Sequence, residues 1–500
     1  MSTQISCVAP ASVPAVDMVS SKRLDIVVKY LFARELLESR RNDFKKGIYK
    51  DLYIRHILMR TLGVEPIDKF SLEVAQQKNT VDDYVNSFKN LIKSISENGF
   101  DSSFPVPIDK QGQLGNGAHR LAAAVALNQS VFIQDIDRGF GWDFDWFNKQ
   151  GFSVEDKQRI LRGFVELKCK DCSVFVVYQP AVKFLGNIKA IISKRFDIVG
   201  TVSLDFENNF RLFKNIILDI YDRNISKSES IREAILQKTD VLLADKLNLT
   251  VIVACVKDRS DQTQVGQLTK NIKEEIRVLL NHQIPKEIFC TIHSSDCEEE
   301  CLYLSNILLS PNHIKQTSLR LELDDNKWLT GAVRKLPGIL NQYRIEENEV
   351  CVVGSSVAKA YGIDSHKESD IDLVVLQSKR TKPEPYQLHE LVDIATSSRH
   401  ANRSLDIDDE ILIENPEYHF YHRGIKFANL EVLRSRLGKR EKDVLLRRKI
   451  DLLFNFMGGV DQLRILNSRI QAEQENRRMR NAKKGRFKKF VKKIKQMFVK

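Results

Sequence analysis

Between Val352 and Leu376 the apolar run Val352-Val353 enters a Gly354-Ser355-Ser356 turn. A second apolar run, Ile371 to Leu376, then begins beside Asp370 and carries Asp372. Alternate residues of a strand share a face, so the two carboxylates point the same way. Two carboxylates on one strand face suit a hard divalent cation. Backbone N–H groups and the Ser355 hydroxyl, at a turn opening a helix, suit the phosphates that such a cation neutralises.

The ordered set of strand, Gly-Ser turn, short helix and Asp-x-Asp strand resembles the polymerase-beta-like nucleotidyltransferases over roughly residues 346 to 455. The resemblance implies that Asp370 and Asp372 are catalytic and hold Mg2+ or Mn2+. It also implies that Gly354, Ser355 and Ser356 bind the phosphates of a nucleoside triphosphate. Such a transfer uses a third carboxylate to align and deprotonate the acceptor. Asp406 and Asp408, at period two in Ser404 to Asp408, are candidates, and Glu414 and Glu417 stay open. Tyr386 to Ser397 reads as a helix, and Tyr418 to Phe427 as a hairpin turning at Arg423-Gly424. Lys426 on that hairpin is placed to steady a triphosphate. Leu430 to Leu437 and Lys442 to Phe456 read as helices.

The chain has 500 residues, 42% of them hydrophobic, which is enough for about three domains with real cores. No apolar run approaches the ~18 residues that span a bilayer, and the N-terminus lacks the pattern of a leader, so a cytoplasmic protein is expected. The eight cysteines are scattered, which argues against a disulfide framework. Cys169 and Cys172 form a CxxC, and Cys297 and Cys301 are four apart. The two pairs are distant in the chain and the second spacing is poor for zinc, so reduced, unligated thiols are expected.

The net charge of +12 comes from one end. Arg477 to Lys500 holds twelve Lys or Arg and no acid, leaving 66 basic against 66 acidic residues elsewhere. Phe487, Phe490, Val491, Ile494, Met497 and Phe498 recur at helical spacing among lysines there. Residues 477–500 therefore read as a basic amphipathic C-terminal helix suited to an anionic membrane surface, at the inner face of the membrane. A neutral body disfavours a polynucleotide partner, because duplex binding needs several phosphate contacts on a folded surface.

Upstream, residues 21 to 62 carry amphipathic helices. Phe104 to Ile108 reads as a strand before a Gly-rich turn, and Asn116-Gly117-Ala118-His119-Arg120 then opens an Ala-rich helix. N–H groups and an Arg at a helix start make an anion site. This run resembles the phosphate-binding loop of the ParB/sulfiredoxin-like fold, which implies that Asn116, Gly117, His119 and Arg120 bind phosphate. Asn116 stands where an acidic residue is usual. Trp142 to Phe147 interleaves aromatics with Asp and is expected to close a core.

From Ser173 to Glu322 strands alternate with helices, giving an α/β domain. The order resembles nucleoside diphosphate kinase, with its ferredoxin-like fold. That resemblance implies a phosphohistidine at His293 and a phosphate-binding Arg277. Gln179 and Cys290 depart from it, since both positions lose a donor to the phosphates.

The expected chain is thus multidomain, α/β and α+β. It comprises a flexible end (1–20), a helical plus ParB/sulfiredoxin-like domain (21–172), a nucleoside-diphosphate-kinase-like domain (173–322), a connector (323–345), a nucleotidyltransferase domain (346–458) and a helical basic tail (459–500). The expected activity is magnesium-dependent transfer of a nucleotide to a small phosphorylated or hydroxylated acceptor, with a kinase step as an added option. The combination fits activation of a metabolite for a bacterial envelope or capsular polysaccharide. Two other classes stay open: a nucleic-acid-associated protein, and a nucleotide-sensing scaffold with inactive domains.

Overall fold

The computed structural model describes residues 12–38, 47–61, 80–207, 209–225, 229–243, 246–257, 265–281, 290–320, 327–363, 370–382, 385–395, 407–437 and 441–455. Asp406 and the whole of the 459–500 segment, with the tail at 477–500, lie outside them. The chain is a mixed α/β protein with, among the described residues, three sheets.

The first unit holds β1 (Ser12–Pro14), α1 (Asp25–Glu38), α2 (Ile48–Thr61), α3 (Val81–Asn98), β2 (Val106–Asp109), α4 (Ala118–Ala126), β3 (Ser130–Ile136), α5 (Phe144–Lys149) and α6 (Val154–Lys168). Helix α3 starts where sequence dictates: Thr80 and Asp83 form a reciprocal capping box, and Gly99, with φ 77°, ends it. Such a cap contributes about 1 kcal/mol. Its face of Tyr84, Val85, Phe88, Ile92 and Ile95 is buried. Strands β2 and β3 pair in parallel across α4. Strand β1 pairs antiparallel with β3, and Ala15 is buried, where the sequence reading put a flexible end. Asp143 caps α5, and Phe144 and Phe147 are buried, as the aromatic run predicts.

The second unit follows with β4 (Cys172–Tyr178), α7 (Gln179–Val182), α8 (Leu185–Ile192), β5 (Phe196–Asp205), α9 (Phe210–Ile225), α10 (Glu229–Leu243), β6 (Asn248–Val256), α11 (Val265–Asn281), β7 (Ile292–Ser294), α12 (Glu298–Leu308) and α13 (Pro311–Leu319). The sheet order is β5-β6-β4-β7, with every neighbouring pair antiparallel. All seven residues of β4 are buried because both faces of this sheet are covered. Phe175 and Val177 pack with Ile188, Ile192, Ile272 and Ile276, whereas Val174, Val176 and Tyr178 join the core of the first unit. At Gly200, where the β5 register shifts, a Cβ would lie 2.6 Å from the Phe144 ring. The first two units therefore share one continuous core instead of meeting as separate domains.

The third unit holds α14 (Lys327–Gln342), β8 (Val350–Val353), α15 (Ser355–Ala360), β9 (Ile371–Val375), β10 (Tyr386–His389), β11 (Val392–Ile394), α16 (Asp409–Glu414), β12 (His419–His422), β13 (Ile425–Ala428), α17 (Leu430–Arg436) and α18 (Glu441–Asn455). Its sheet order is β10-β11-β9-β8-β13-β12, over a core of its own. The β12–β13 hairpin turns at Arg423 and Gly424, both at positive φ, which matches the right-handed twist of the strands. The helix expected over Tyr386–Ser397 is instead the hairpin β10–β11. Parallel pairing of β11 with β9 overrides the local helical spacing.

Candidate functional site

Strands β8 and β9 are antiparallel, with Val353 opposite Asp372, so the Gly354 turn lies beside that Asp. Gly354 has φ 70°, and a Cβ on it would lie 2.2 Å from Asp372 Oδ2. The carboxylate thus rests directly on the turn, and only glycine leaves room for it. Ile371 and Leu373 are buried on the core side, with half-buried Asp372 between them; Asp370 directly precedes the strand and is also half-buried.

On the other side of β9, β11 runs parallel with Asp393 opposite Asp372. Register partners in neighbouring strands share a face, so Asp393 joins the same face. Sequence reasoning missed this residue. The signal was there, because Val392-Asp393-Ile394 repeats the apolar-Asp-apolar pattern of Ile371-Asp372-Leu373. Two of the earlier candidates have other engagements, and Asp406 lies outside the described residues. Asp408 caps α16 by accepting from Glu410 N at 2.9 Å, and Glu417 pairs with Arg159 at 3.1 Å.

Hard carboxylate oxygens on one face match the donors that Mg2+ or Mn2+ takes. Among the described residues no three His, Cys, Asp or Glu side chains are already drawn together as a metal-holding group. Ser355 follows the turn and is half-buried. Ser356 is fully buried, with its hydroxyl unpartnered. Lys426 precedes Phe427, the register partner of Val352, but its Nζ reaches back past the start of β8 and donates to the Asn348 carbonyl at 2.6 Å. Its ammonium is therefore engaged ahead of β8 and not at the Gly354 turn.

In the second unit His293 on β7 lies within a polar cluster. Its Nε2 is 3.3 Å from Glu300 Oε1, outside hydrogen-bond geometry, and its side chain is 12% exposed. Burial pulls the imidazole below its ordinary pKa against the pull of Glu300, so the neutral, nucleophilic form is favoured. Tyr221 meets the ring edge-on at 4.9 Å. The hydroxyls of Tyr178 and Tyr221 are 2.7 Å apart, and Lys238 Nζ donates to Tyr221 at 2.6 Å. Burial draws the Lys238 ammonium down to about 7, with Arg277 and Lys273 adding to the effect. Arg277 pairs with Glu274 at 2.7 Å. Tyr178, Tyr221 and Lys238 carried no sequence signal, since α9 and α10 bring them together only through folding.

At the start of α4, Asn116 Oδ1 accepts from Gly117 N at 2.8 Å. His119 Nε2 lies 2.9 Å from the Tyr53 hydroxyl, with its ring edge-on to Phe88. Arg120 donates to the Phe104 carbonyl. The Gly117 N–H, the His119 ring and one arm of the Arg120 guanidinium are thus engaged within the protein. No helix among the described residues is long and apolar enough to cross a membrane. No protein-family model, curated protein or solved structure matches the chain.

Proposed function

We propose that the third unit is a magnesium-dependent nucleotidyltransferase acting on a small phosphorylated or hydroxylated acceptor. The observation that carries this reading is the register that sets Asp393 beside Asp372 and Asp372 against the Gly354 turn. Asp370 and Asp372 would hold the metal, which when bound supplies charge neutralisation to the triphosphate. Gly354 and Ser355 would meet the phosphates. Asp393, on the same face, would accept the acceptor's proton as its oxygen attacks the α-phosphorus in line and pyrophosphate leaves.

The strand order of the second unit supports its ferredoxin-like reading, and the neutral His293 supports its resemblance to nucleoside diphosphate kinase. The engaged donors at α4 leave the first unit's phosphate loop with less support. The basic tail remains proposed as a contact to an anionic membrane.

The test is incubation of the purified protein with magnesium, each labelled nucleoside triphosphate and a panel of sugar phosphates and polyols. Pyrophosphate release is expected with at least one pair and should be lost in Asp370→Ala/Asp372→Ala. Release that persists in the double variant would sink the site assignment.

A further inference from the structure

A cavity of about 330 Å³ opens in the first unit between α2 and the start of α6, at the small end of the range usual for ligand pockets. Arg55 and Met59 line it from α2, Phe152 and Ser153 from the link between α5 and α6, and Asp156 and Arg159 from α6 itself. Residues four apart on α2 and three apart on α6 stand one above the other on a helix face, so each helix offers a continuous wall. None of the lining residues belongs to the third unit, so the cavity is separate from the Gly354 turn.

Arg159 Nε donates to Glu417 at 3.1 Å, and the arginine side chain is 13% exposed. Nη1 and Nη2 bond to no described residue, and neither is shut away from open space. Glu417, itself outside the lining, thus fixes the guanidinium by one nitrogen and leaves its end fork free. Two parallel donors of that kind match a carboxylate or a phosphate. Arg55 Nη2 pairs with Asp156 at 2.6 Å, which satisfies the buried carboxylate in the wall, and Arg55 makes no other hydrogen bond to a described residue. The rest of the wall is apolar. Phe152 is buried and set edge-on to Phe147 at 4.9 Å, and Met59 is exposed, with a thioether that adapts to the shape it meets.

We propose that this cavity binds a small organic anion, with its carboxylate or phosphate on the Arg159 fork beside Arg55 and its apolar body against Phe152 and Met59. The fork selects the charge and the walls select the body, so inorganic phosphate alone meets only half of the site. No metal is needed, because the two guanidiniums supply the countercharge and Asp156 already has its partner. The site is thereby distinct in chemistry, as well as in place, from the metal-dependent nucleotide site proposed for the third unit.

Calorimetric titration of the full chain in EDTA tests this, with phenyl phosphate and benzoate as probes and inorganic phosphate and benzyl alcohol as controls. EDTA removes the divalent ion that the nucleotide site requires, so that site does not contribute. Saturable binding of at least one probe to a single site is expected, at least about tenfold tighter than either control. Arg159→Lys keeps a cation for Glu417 but loses the fork, and should weaken that probe at least about tenfold. Met59→Trp leaves both arginines in place and fills the cavity from an exposed helix position, so it should also weaken the probe, with the circular dichroism unchanged. Arg195→Gln, at an exposed position of the second unit, should bind as the wild type does. No saturable binding of either probe, a control that binds as tightly as the probes, or unchanged binding in Arg159→Lys or in Met59→Trp would overturn the proposal.

Discussion

Replacing Arg320 with Met is expected to destabilise the protein by about 3–5 kcal/mol, the cost of removing one partner from a buried ion pair. Arg320 and Asp219 are both fully buried, with Nη2 2.6 Å from Oδ2. Nη1 also donates to the Tyr421 carbonyl at 2.9 Å and faces His422 Nδ1 at 3.1 Å. One guanidinium thus ties α9 of the second unit to β12 of the third. His313 completes the joint. Its Nδ1 accepts from Tyr421 N at 3.1 Å, which leaves the proton on Nε2, 3.2 Å from Asp219 Oδ2. Without Arg320 the Asp219 carboxylate keeps only this neutral partner. Asp222 next to it is already pushed well up, first by burial and then by the Asp219 charge, so it offers no relief.

Calorimetry should show the effect as a fall of roughly 6–20 °C in the transition of the third unit, at about 2–4 °C per kcal/mol. A loss below about 1 kcal/mol would mean that the joint is not structural. The same joint sets a pH dependence. Burial lowers both His313 and His422 below the ordinary 6.5. The unfolded chain therefore binds more protons than the folded one below that pH, and stability falls as the pH drops through 6.5.

Replacing Asp393 with Asn is expected to lower pyrophosphate release by about 10²–10⁴-fold, the usual range for loss of a positioned general base. The swap keeps volume and polarity on β11, so the sheet should be retained. Asp408→Asn is the matched control. Asp408 caps α16, and Asn caps about as well, so neither rate nor stability should change much. Steady-state rates of the two variants, with folding checked by circular dichroism, decide the matter. Equal rates for wild type and Asp393→Asn would return the third carboxylate to the unassigned residues.

The halves of the site differ in how far they could be read. Val352 to Asp372 was legible because everything it needs is local: an apolar strand, a glycine at the turn and period-two alternation. Asp393 was hidden because Leu388, Leu391, Val392 and Ala395 follow helical spacing, and only pairing with β9 makes the segment a strand. Asp406 and Asp408 share period two with the Asp370 pair, yet Asp408 belongs to a helix start. The shared core of the first two units was equally out of reach. An all-apolar β4 shows that both faces are covered without showing by what. The Arg320–Asp219 pair spans 101 residues, a separation at which sequence pattern says nothing of contact.

A single metal–nucleotide site formed by Asp372, Asp393 and the Gly354 turn can be tested without knowing the acceptor. Equilibrium binding of a non-hydrolysable nucleoside triphosphate is measured with and without Mn2+, in the wild-type chain and in Asp372→Asn. Binding to the wild type should require the divalent ion and should weaken at least about tenfold in the variant, a loss of about 1.4 kcal/mol. Equal binding by the two proteins, or binding indifferent to Mn2+, would contradict the assignment.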